Sequence, residues 1–387
     1  MLALCQICNE ANGSAFARGD CYICRGGALE VERMTDEAAA LIKKEDASGF
    51  SLSTMIPKEW LIREEDAWDV RGGQSIKDFI NRKIARELQT VTGLPYENEA
   101  DCRMVFDFAR GTVSLERNDL FIFGRYKKLV QGLSQSRWLC SHCNGKGCDA
   151  CGGKGKNYES VEERVGEPLK NATRADGYVM HASGREDVDA TNTAGRAFVL
   201  MLANPRKRAL DLERASVEIA ESGEVSVSGL RIVGRPFVEV VTESHFDKTY
   251  EAYVEFGKPL TAEDLACIKE MEEKTLAQQT PQRVAHRRAD LVRYRKVKRL
   301  EILSTAGGRA VLRITAEAGT YIKELISGDD GRTQPSIAEL LKTDAKCTKL
   351  VVEQIEDGFL DLCLKAQVTP LRRILPGSND TPDKSYR

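Results

Sequence analysis

The stretch His181-Ala-Ser-Gly-Arg-Glu-Asp-Val-Asp189 places a carboxylate, Asp187, two residues after the pair Gly184-Arg185 and between two further acids, Glu186 and Asp189. The residues before it predict a strand, and the glycine predicts a tight turn where that strand ends. A carboxylate flanked by acids on such a turn is costly unless the protein uses it. Taken alone, these residues are also typical of a surface turn, so the interpretation depends on other segments.

Two later segments carry aromatic and basic groups. Lys248–Val254 alternates like a strand and includes Tyr250, and Ala318–Ile326 runs from a strand into a short helix with Tyr321 and Lys323. Taken singly, Tyr250 is also typical of a core aromatic with a polar tip, and Lys323 of a solvated helix lysine. Their meaning comes from their order along the chain.

Length and composition place the chain among globular proteins. Its 387 residues are enough for two or three domains, and 42% hydrophobic with 30% charged residues is ordinary for such proteins. No apolar run reaches about eighteen residues, and the first five residues lack the features of a secretion signal. We therefore expect a cytoplasmic protein without a membrane partner.

Positive charge is concentrated in one segment, although the formal net charge is only −2. Residues 281–300 contain eight basic side chains against one acid, Asp290, a local excess of seven. This excess predicts a phosphate-binding surface, although a solvated basic face has the same composition. The basic residues are Arg283, Arg287, Arg288, Arg293, Arg295, Lys296, Lys298 and Arg299.

Eight of the twelve cysteines form four CxxC pairs in two clusters, which are Cys5, Cys8, Cys21 and Cys24, and Cys140, Cys143, Cys148 and Cys151. Without a secretion signal, this spacing indicates metal binding rather than disulfides. Four thiolates complete a tetrahedral Zn²⁺ site and leave no open position for catalysis, so we expect structural zinc. Which CxxC pairs bind the same ion stays open, because a pair from one cluster can also share an ion with a pair from the other cluster.

The chain divides by composition into two parts and a tail. Residues 1–155 combine the cysteine clusters with mixed helix and strand patterns. The polar stretch between Asn157 and Ala175 predicts a boundary, and the second part covers residues 156–375. The tail, 376–387, is polar and predicted to be disordered.

Several elements are marked clearly enough to place. Ser75 and Thr261 are N-cap candidates with an acid three residues later, and Ser336 begins a shorter helix. Alternation at Cys102–Phe108 predicts a strand, as does the strand-like run Val238–Val241. Because strand-like runs with few helices dominate the second part, we predict an α+β fold with a mainly antiparallel sheet.

The three segments together carry a more specific pattern. GR-x-D, then K-x-Y-x-A-x-V about sixty residues on, then GTYI-K/R-x-L, is the ordered motif set of pseudouridine synthases, and this chain resembles that superfamily in all three. The N-terminal CxxC pairs, GREDVD, Phe123–Leu129 (FGRYKKL) and Gly132–Trp138 (GLSQSRW) resemble the archaeal and eukaryotic "Pus ten" family more closely. The resemblance extends from about Cys5 to the 350s.

The resemblance implies an activity and an architecture. That family makes pseudouridine 55, and in archaea also 54, in the TΨC arm of tRNA. It implies a zinc-containing, THUMP-related RNA-binding domain followed by a pseudouridine-synthase catalytic domain. Isomerisation of a base needs no redox chemistry, so no organic cofactor is expected. We expect the protein to act as a monomer.

The resemblance also implies residue roles. Asp187 stands at the position of the nucleophile, and Tyr250 and Tyr321 at positions that contact the target base. Lys323 occupies the basic position expected to pair with the catalytic carboxylate. Apart from these positions, the arginines expected to bind the RNA are Arg185 and, from the basic segment, Arg287 and Arg288.

One departure follows the nucleophile. After Asp189 the family continues V-R-M-L-G-x-G-R-P-F, whereas Ala190–Phe198 is one residue shorter and lacks the early arginine and the proline. Because loops near the nucleophile help to place RNA, we expect this change to affect the choice of uridine and the rate rather than the reaction class.

Two other functions fit parts of the sequence. An RNA-binding protein or tRNA chaperone with weak or lost catalysis would keep the basic segment, but it has no need of an acid that repels phosphate. A zinc-dependent redox or chaperone protein accounts for the cysteines alone and leaves the second half unexplained.

Overall fold

The computed structural model describes residues 2–11, 17–68, 74–98 and 100–367. The tail predicted to be disordered, 376–387, lies outside the described residues. The chain forms two compact units. The first contains Met1–Phe121, Gly166–Val179 and Met201–Leu212, and the second contains Ile122–Val165, Met180–Leu200 and Glu213–Arg387. Each unit is a set of residues that contact one another in space. The domain boundary predicted at residue 156 stays a prediction.

The first unit packs helices against a three-stranded sheet. The strands of this sheet are β3 (Phe50–Met55), β4 (Cys102–Asp107) and β5 (Thr112–Arg117), while β1 (Ala3–Leu4) and β2 (Ala17–Arg18) form a separate two-stranded sheet. The helices of the first unit are α1 (Gln6–Ala11), α2 (Val31–Ile42), α3 (Lys58–Trp68) and α4 (Ile76–Thr92). Strand β4 pairs with β3 in parallel and with β5 antiparallel.

The core of the first unit follows from periodicity. Ile76, Ile80 and Ile84 recur every fourth residue on α4, and all three are fully buried in one cluster with Met104 and Phe106 of β4. The helix predicted after Ser75 and the strand predicted from Cys102 are therefore confirmed. The THUMP relationship of this region stays a prediction.

The remaining strands are β6 (Leu120–Lys128), β7 (Trp138–Leu139), β8 (Lys156–Tyr158), β9 (Gly177–Ala182), β10 (Ala190–Ala203), β11 (Val225–Val233), β12 (Lys248–Phe256), β13 (Thr275–Gln279), β14 (Val292–Ala306), β15 (Arg309–Ala316), β16 (Thr333–Gln334) and β17 (Ala345–Ile355). The remaining helices are α5 (Val161–Thr173), α6 (Leu212–Ala220), α7 (Phe237–Thr242), α8 (Ala262–Lys269), α9 (Ile322–Ser327), α10 (Ile337–Leu341) and α11 (Gly358–Gln367).

A ten-stranded sheet positions the candidate site. Its order is β11-β6-β10-β17-β12-β15-β14-β13-β16, with β9 paired to β10. Strand β12 is antiparallel to both neighbours, and Tyr250 lies between Ile314 of β15 and Val352 of β17. The pairs β13–β14 and β14–β15 are antiparallel as well, whereas β10 and β17 are parallel. The α+β fold with a mainly antiparallel sheet is confirmed.

Local signals placed some helices and misplaced one strand. Thr261 and Asp264 form the predicted capping box of α8, and Ser336 caps α10 through the N–H of Glu339. The strand predicted at Val238–Val241 is wrong, because these residues belong to α7. Phe237 and Val241 are fully buried, and their spacing of four residues lets one helix face bury both.

The polar stretch between Asn157 and Ala175 is more ordered than its composition suggests. It contains α5, with Pro168 inside the helix. Among the described residues, none of the helices combines the length and the apolar composition that crossing a bilayer requires.

Candidate active site

Asp187 lies on the short loop that joins β9 to β10. Gly184 opens this loop with φ +79°, in the left-handed region, and a Cβ there would lie 3.0 Å from Nη1 of Arg196. The loop ends where the N–H of Ala190 donates to the carbonyl oxygen of Asp187 at 3.1 Å. Glycine at this turn therefore lets the chain present the Asp187 carboxylate at the end of a strand, partly exposed.

Two cations flank the Asp187 carboxylate. Nη1 of Arg283 lies 2.7 Å from Oδ2 of Asp187, and Nζ of Lys323 lies 3.7 Å from the same oxygen. Lys323 makes its shorter contacts with Asp189, 2.6 Å from each carboxylate oxygen. The structure thus brings the predicted partner Lys323 close to Asp187, and Arg283 closer still.

Arg283 is itself held by a buried acid. Its Nε donates to Oε1 of Glu324 at 2.6 Å, and the Glu324 side chain is only 5% exposed. Burial by itself lowers the pKa of Arg283, but Glu324 and Asp187 outweigh it and raise that pKa above its ordinary value. The guanidinium therefore stays charged and places a fixed cation 2.7 Å from the Asp187 carboxylate. The sequence indicated Arg283 only as part of the basic segment and not as a partner of Asp187. The overlooked signal was Glu324, the acid that follows Lys323.

The three acids of the loop all have cationic partners. Glu186 is buried against Arg196, whose Nε lies 2.7 Å from its Oε2. The hydroxyl of Tyr126 donates to Oε1 of the same glutamate at 2.7 Å. Because Glu186 pairs with Arg196, Asp189 with Lys323 and Asp187 with Arg283, the repulsion expected among the acids is offset by local cations.

Tyr250 lies in the sheet beside this loop. Its side chain is 8% exposed, and burial together with the negative charge of Asp187 and Glu186 raises its pKa to about 12, against the opposing charge of Arg196. The phenol therefore stays protonated at neutral pH. Such a side chain offers a contact surface and a neutral hydroxyl rather than a proton-abstracting group.

Tyr321 is placed by a residue that sequence reasoning missed. The amide side chain of Gln278, on β13, accepts from the N–H of Tyr321 at 2.9 Å and donates to its carbonyl oxygen at 3.0 Å. Gln278 is fully buried. The Tyr321 hydroxyl accepts a longer bond, 3.4 Å, from Nη1 of Arg288. The local sequence around Gln278, Thr275–Gln279, contains no signal for this contact.

The basic segment is less positive in three dimensions than its composition suggests. Besides Arg283, three of its cations pair with acids: Lys296 with Glu273, Lys298 with Asp247, and Arg299 with Glu301. Others donate to neutral groups, among them Arg288 to Tyr321, Arg293 to Thr280 and Arg295 to a backbone carbonyl. The side chain of Arg287 lies outside the described residues. Arg185 is exposed on the loop that carries Asp187.

The departure after Asp189 lies in a strand rather than in a loop. Ala190–Ala203 forms β10, and Arg196 within it is buried and donates to the carbonyl oxygen of Ser183 at 2.8 Å. The expectation of an altered loop at this point is therefore corrected. The changed residues lie in the sheet that supports the nucleophile loop.

Each cysteine cluster closes on itself. The four sulfur atoms of Cys5, Cys8, Cys21 and Cys24 lie within 4.8 Å of one another, and so do those of Cys140, Cys143, Cys148 and Cys151. All twelve cysteines lie in the part of the chain that the structure describes, and none of them forms a disulfide there. The two CxxC pairs of each cluster therefore lie together, rather than with a pair of the other cluster. Both all-cysteine sets suit Zn²⁺.

Backbone packing supports the second cluster. The N–H of Gly147 donates to Sγ of Cys143 at 3.2 Å, and the N–H of Gly155 donates to Sγ of Cys151 at 3.1 Å. Both glycines have positive φ, and a Cβ on either would lie within 2.6 Å of a backbone oxygen. Glycine is therefore required where the two turns approach each other.

Comparison with known proteins agrees with the motifs. The family model described as Pus10, C-terminal, matches residues 121–356. The tRNA pseudouridine synthase Pus10 of Methanothrix thermoacetophila is 37% identical over 365 residues, covering 90% of this chain and 80% of the relative. The protein of the same name from Archaeoglobus fulgidus is also 37% identical, over 355 residues, covering 90% of this chain and 98% of the relative.

Solved structures are matched less closely. A crystal structure of a Cbf5-Nop10-Gar1 complex is 18% identical with a TM-score of 0.32, covering 59% of this chain and 47% of the other. That similarity is too low for residue correspondence. The family model, by contrast, spans the second cysteine cluster and the three motifs, and the alignments with the archaeal relatives cover 90% of the chain. The chain therefore belongs to the Pus10 family of tRNA pseudouridine synthases, which are isomerases.

Proposed function

We propose that this protein isomerises uridine to pseudouridine in the TΨC arm of tRNA, at position 55 and with position 54 as a second candidate, and that Asp187 is the nucleophile. The observation that carries the proposal is the ion-paired carboxylate of Asp187, 2.7 Å from Arg283 and 3.7 Å from Lys323. Its side chain is 29% exposed, which leaves it accessible to a sugar.

The reaction matches these groups. The bond between the base nitrogen and the sugar breaks, a carbon of the same ring joins the sugar, and one proton moves from that carbon to the freed nitrogen. Every atom is conserved and nothing is oxidised, so the chemistry needs an ionised carboxylate and a held base rather than a redox cofactor. Arg283 and Lys323 place positive charge beside this carboxylate, which offsets its negative charge before the sugar reaches it.

The base has to leave the folded arm before it reaches Asp187. Flipping a nucleotide out costs a few kcal/mol, and contact with an aromatic ring returns on the order of 1–3 kcal/mol. We assign this contact to Tyr250 and Tyr321. Because Tyr250 is largely buried, its part is to form the floor beneath the base, while Tyr321 is held by Gln278 at the start of α9.

The remaining proposals concern the residues that contact RNA phosphates and those that bind zinc. Arg185, Arg287 and Arg288 contact RNA phosphates in this proposal, because Arg185 and Arg288 are exposed and positive charge attracts the backbone. Each cysteine cluster would hold one Zn²⁺ that contributes roughly 10 kcal/mol or more to folding. We propose that the protein acts in the cytoplasm as a monomer.

The experiment compares three proteins on an unmodified tRNA transcript: the native chain, Asp187→Asn, and the surface control Asp36→Asn. Pseudouridine is mapped by carbodiimide treatment and primer extension. We expect product at position 55 with the native protein and the control, and none with Asp187→Asn. Binding without product from the native protein would favour the RNA-binding or chaperone alternative, and equal product from Asp187→Asn would remove that residue from the mechanism.

A further inference from the structure

The segment Lys128–Gln135 runs from the end of the FGRYKKL motif into the GLSQSRW motif, whose roles the sequence left open. It binds the backbone of the loop that carries Asp187. Nε2 of Gln131 donates to the carbonyl oxygen of Asp189 at 2.7 Å, and the N–H of Gly132 donates to that of Val188 at 2.9 Å. These contacts hold the C-terminal side of the nucleophile loop.

The other end of the loop is held by the same segment. Nε2 of Gln135 donates to the carbonyl oxygen of Gly184 at 2.8 Å and to the hydroxyl of Tyr126 at 2.8 Å. Gln135 and Tyr126 are both buried. Donors that lie 49 to 58 residues earlier in the chain therefore bind the short loop at its beginning and at its end.

Lys128 binds the middle of the loop. Its Nζ donates to the carbonyl oxygens of Asp187 at 2.9 Å and Val188 at 3.0 Å, and to that of Leu133 at 2.6 Å. The three N–H groups of the ammonium thus have three backbone acceptors, and the side chain is fully buried. Burying a charge is costly unless it is hydrogen-bonded, and here the carbonyls supply those bonds.

Charged groups surround this amine. Burial lowers the pKa of Lys128 to about 8, and the positive charge of Lys323 acts in the same direction. The carboxylates of Glu186, Asp189 and Asp187 oppose that shift. The ammonium therefore exists at neutral pH next to the peptide groups that carry the nucleophile.

We propose that Lys128 is a positioning residue that fixes the backbone on either side of the Asp187 peptide bond, and that Lys128–Gln135 forms a cradle for the nucleophile loop. This inference rests on the proposed role of Asp187. Lys128 does not touch the carboxylate; it determines where the carboxylate stands relative to Arg283 and the sugar. Misplacement of a reacting group by about 1 Å costs roughly 100-fold in rate.

Lys128→Met tests the proposal, because it keeps side-chain length and removes the charge and the donors. Lys127→Met is the matched control, since Lys127 is the neighbouring residue on β6 and is exposed. Under single-turnover conditions we expect Lys128→Met to lose about 100-fold in rate with an unchanged dissociation constant for the transcript, and Lys127→Met to keep the native rate. A native rate for Lys128→Met, or a loss confined to binding, would overturn the proposal.

Hydrogen exchange of the peptide 184–190, followed by mass spectrometry, gives a readout that does not depend on activity. We expect faster exchange in Lys128→Met than in Lys127→Met, and unchanged exchange contradicts the cradle. If Asp187→Asn proves active, the nucleophile assignment fails while this exchange result still judges the cradle. Should Lys128→Met not fold, Gln131→Ala decides: Gln131 is exposed, and its removal should also speed exchange of the loop.

Discussion

At the scale of single residues, the Asp187 carboxylate depends on Arg283, which bridges two acids. One acid is partly exposed and proposed to react, and the other, Glu324, is buried. Arg283 is separated from Asp187 by almost one hundred residues, whereas Glu324 directly follows Lys323. Removing the arginine therefore has two effects that can be separated, one on stability and one on the reaction.

We predict that Arg283→Met lowers the free energy of unfolding by about 1–3 kcal/mol, because Glu324 loses its partner while the partial exposure of Arg283 limits the loss. The single-turnover rate should fall by about 10-fold or more, since the carboxylate loses its nearest cation. The double variant Arg283→Met, Glu324→Gln should recover the melting temperature without recovering the rate. Recovery of both would show that Arg283 acts through stability alone.

At the scale of secondary-structure elements, the site is assembled where strand and helix ends meet. The β9–β10 loop carries Asp187, α9 carries Lys323 and Glu324, and the 3-10 turn Gln282–Arg287 carries Arg283. Strand β13 contributes Gln278, whose amide side chain holds the start of α9 at Tyr321. One substitution tests this contact between β13 and α9, because both hydrogen bonds come from the Gln278 side chain.

We predict that Gln278→Ala lowers the free energy of unfolding by about 1–3 kcal/mol, because both hydrogen bonds to the Tyr321 backbone are lost. We also expect a lower kcat/KM for the tRNA substrate, because Tyr321 is no longer held in place. Gln279→Ala is the control, since Gln279 bonds to the exposed Asp290. Denaturant titration and steady-state kinetics measure the two effects. A Gln278→Ala protein as stable and active as Gln279→Ala would contradict the role of this junction.

At the scale of the whole molecule, charge is distributed so that a chain of net charge −2 keeps a basic region. Within residues 281–300 some cations are neutralised by acids of the protein, and others are bonded to neutral groups. When RNA binds, cations that are not already paired with acids are the ones best able to neutralise phosphates and release the counterions condensed on the RNA. The salt dependence of binding therefore distinguishes the two classes.

We predict that Arg287→Ala with Arg288→Ala reduces the slope of log affinity against log salt by roughly 1.5, at about 0.7–0.9 per phosphate contact. The control removes the same number of charges from cations paired with acids, Lys296→Ala with Lys298→Ala, and should change the slope less. Filter binding at several salt concentrations measures both. Equal slopes for the two double variants would return the segment to a solvated basic face.

The sequence alone determined two kinds of feature. The first depends on contacts between residues close together in the chain, and the second on motifs that occur in a fixed order. Thr261 and Ser336 cap helices because a hydroxyl reaches an N–H three residues away, and CxxC spacing brings two sulfurs to one ion. The α+β class and the family followed from strand patterns and from three motifs in order. Val238–Val241 was misjudged because its residues favour a strand, while burial of Phe237 with Val241 favours a helix turn.

Only the tertiary structure decided which groups surround Asp187. The contacts of Arg283 with Asp187 and of Lys128 with the loop backbone join residues that lie far apart in the chain. Arg196 reaches Glu186 because strand β10 places it beside the loop. No local pattern encodes such contacts, because their free energy comes from burial and from distances set by the sheet. The same holds for the cysteines, whose spacing predicted zinc ligands but left their grouping to the fold.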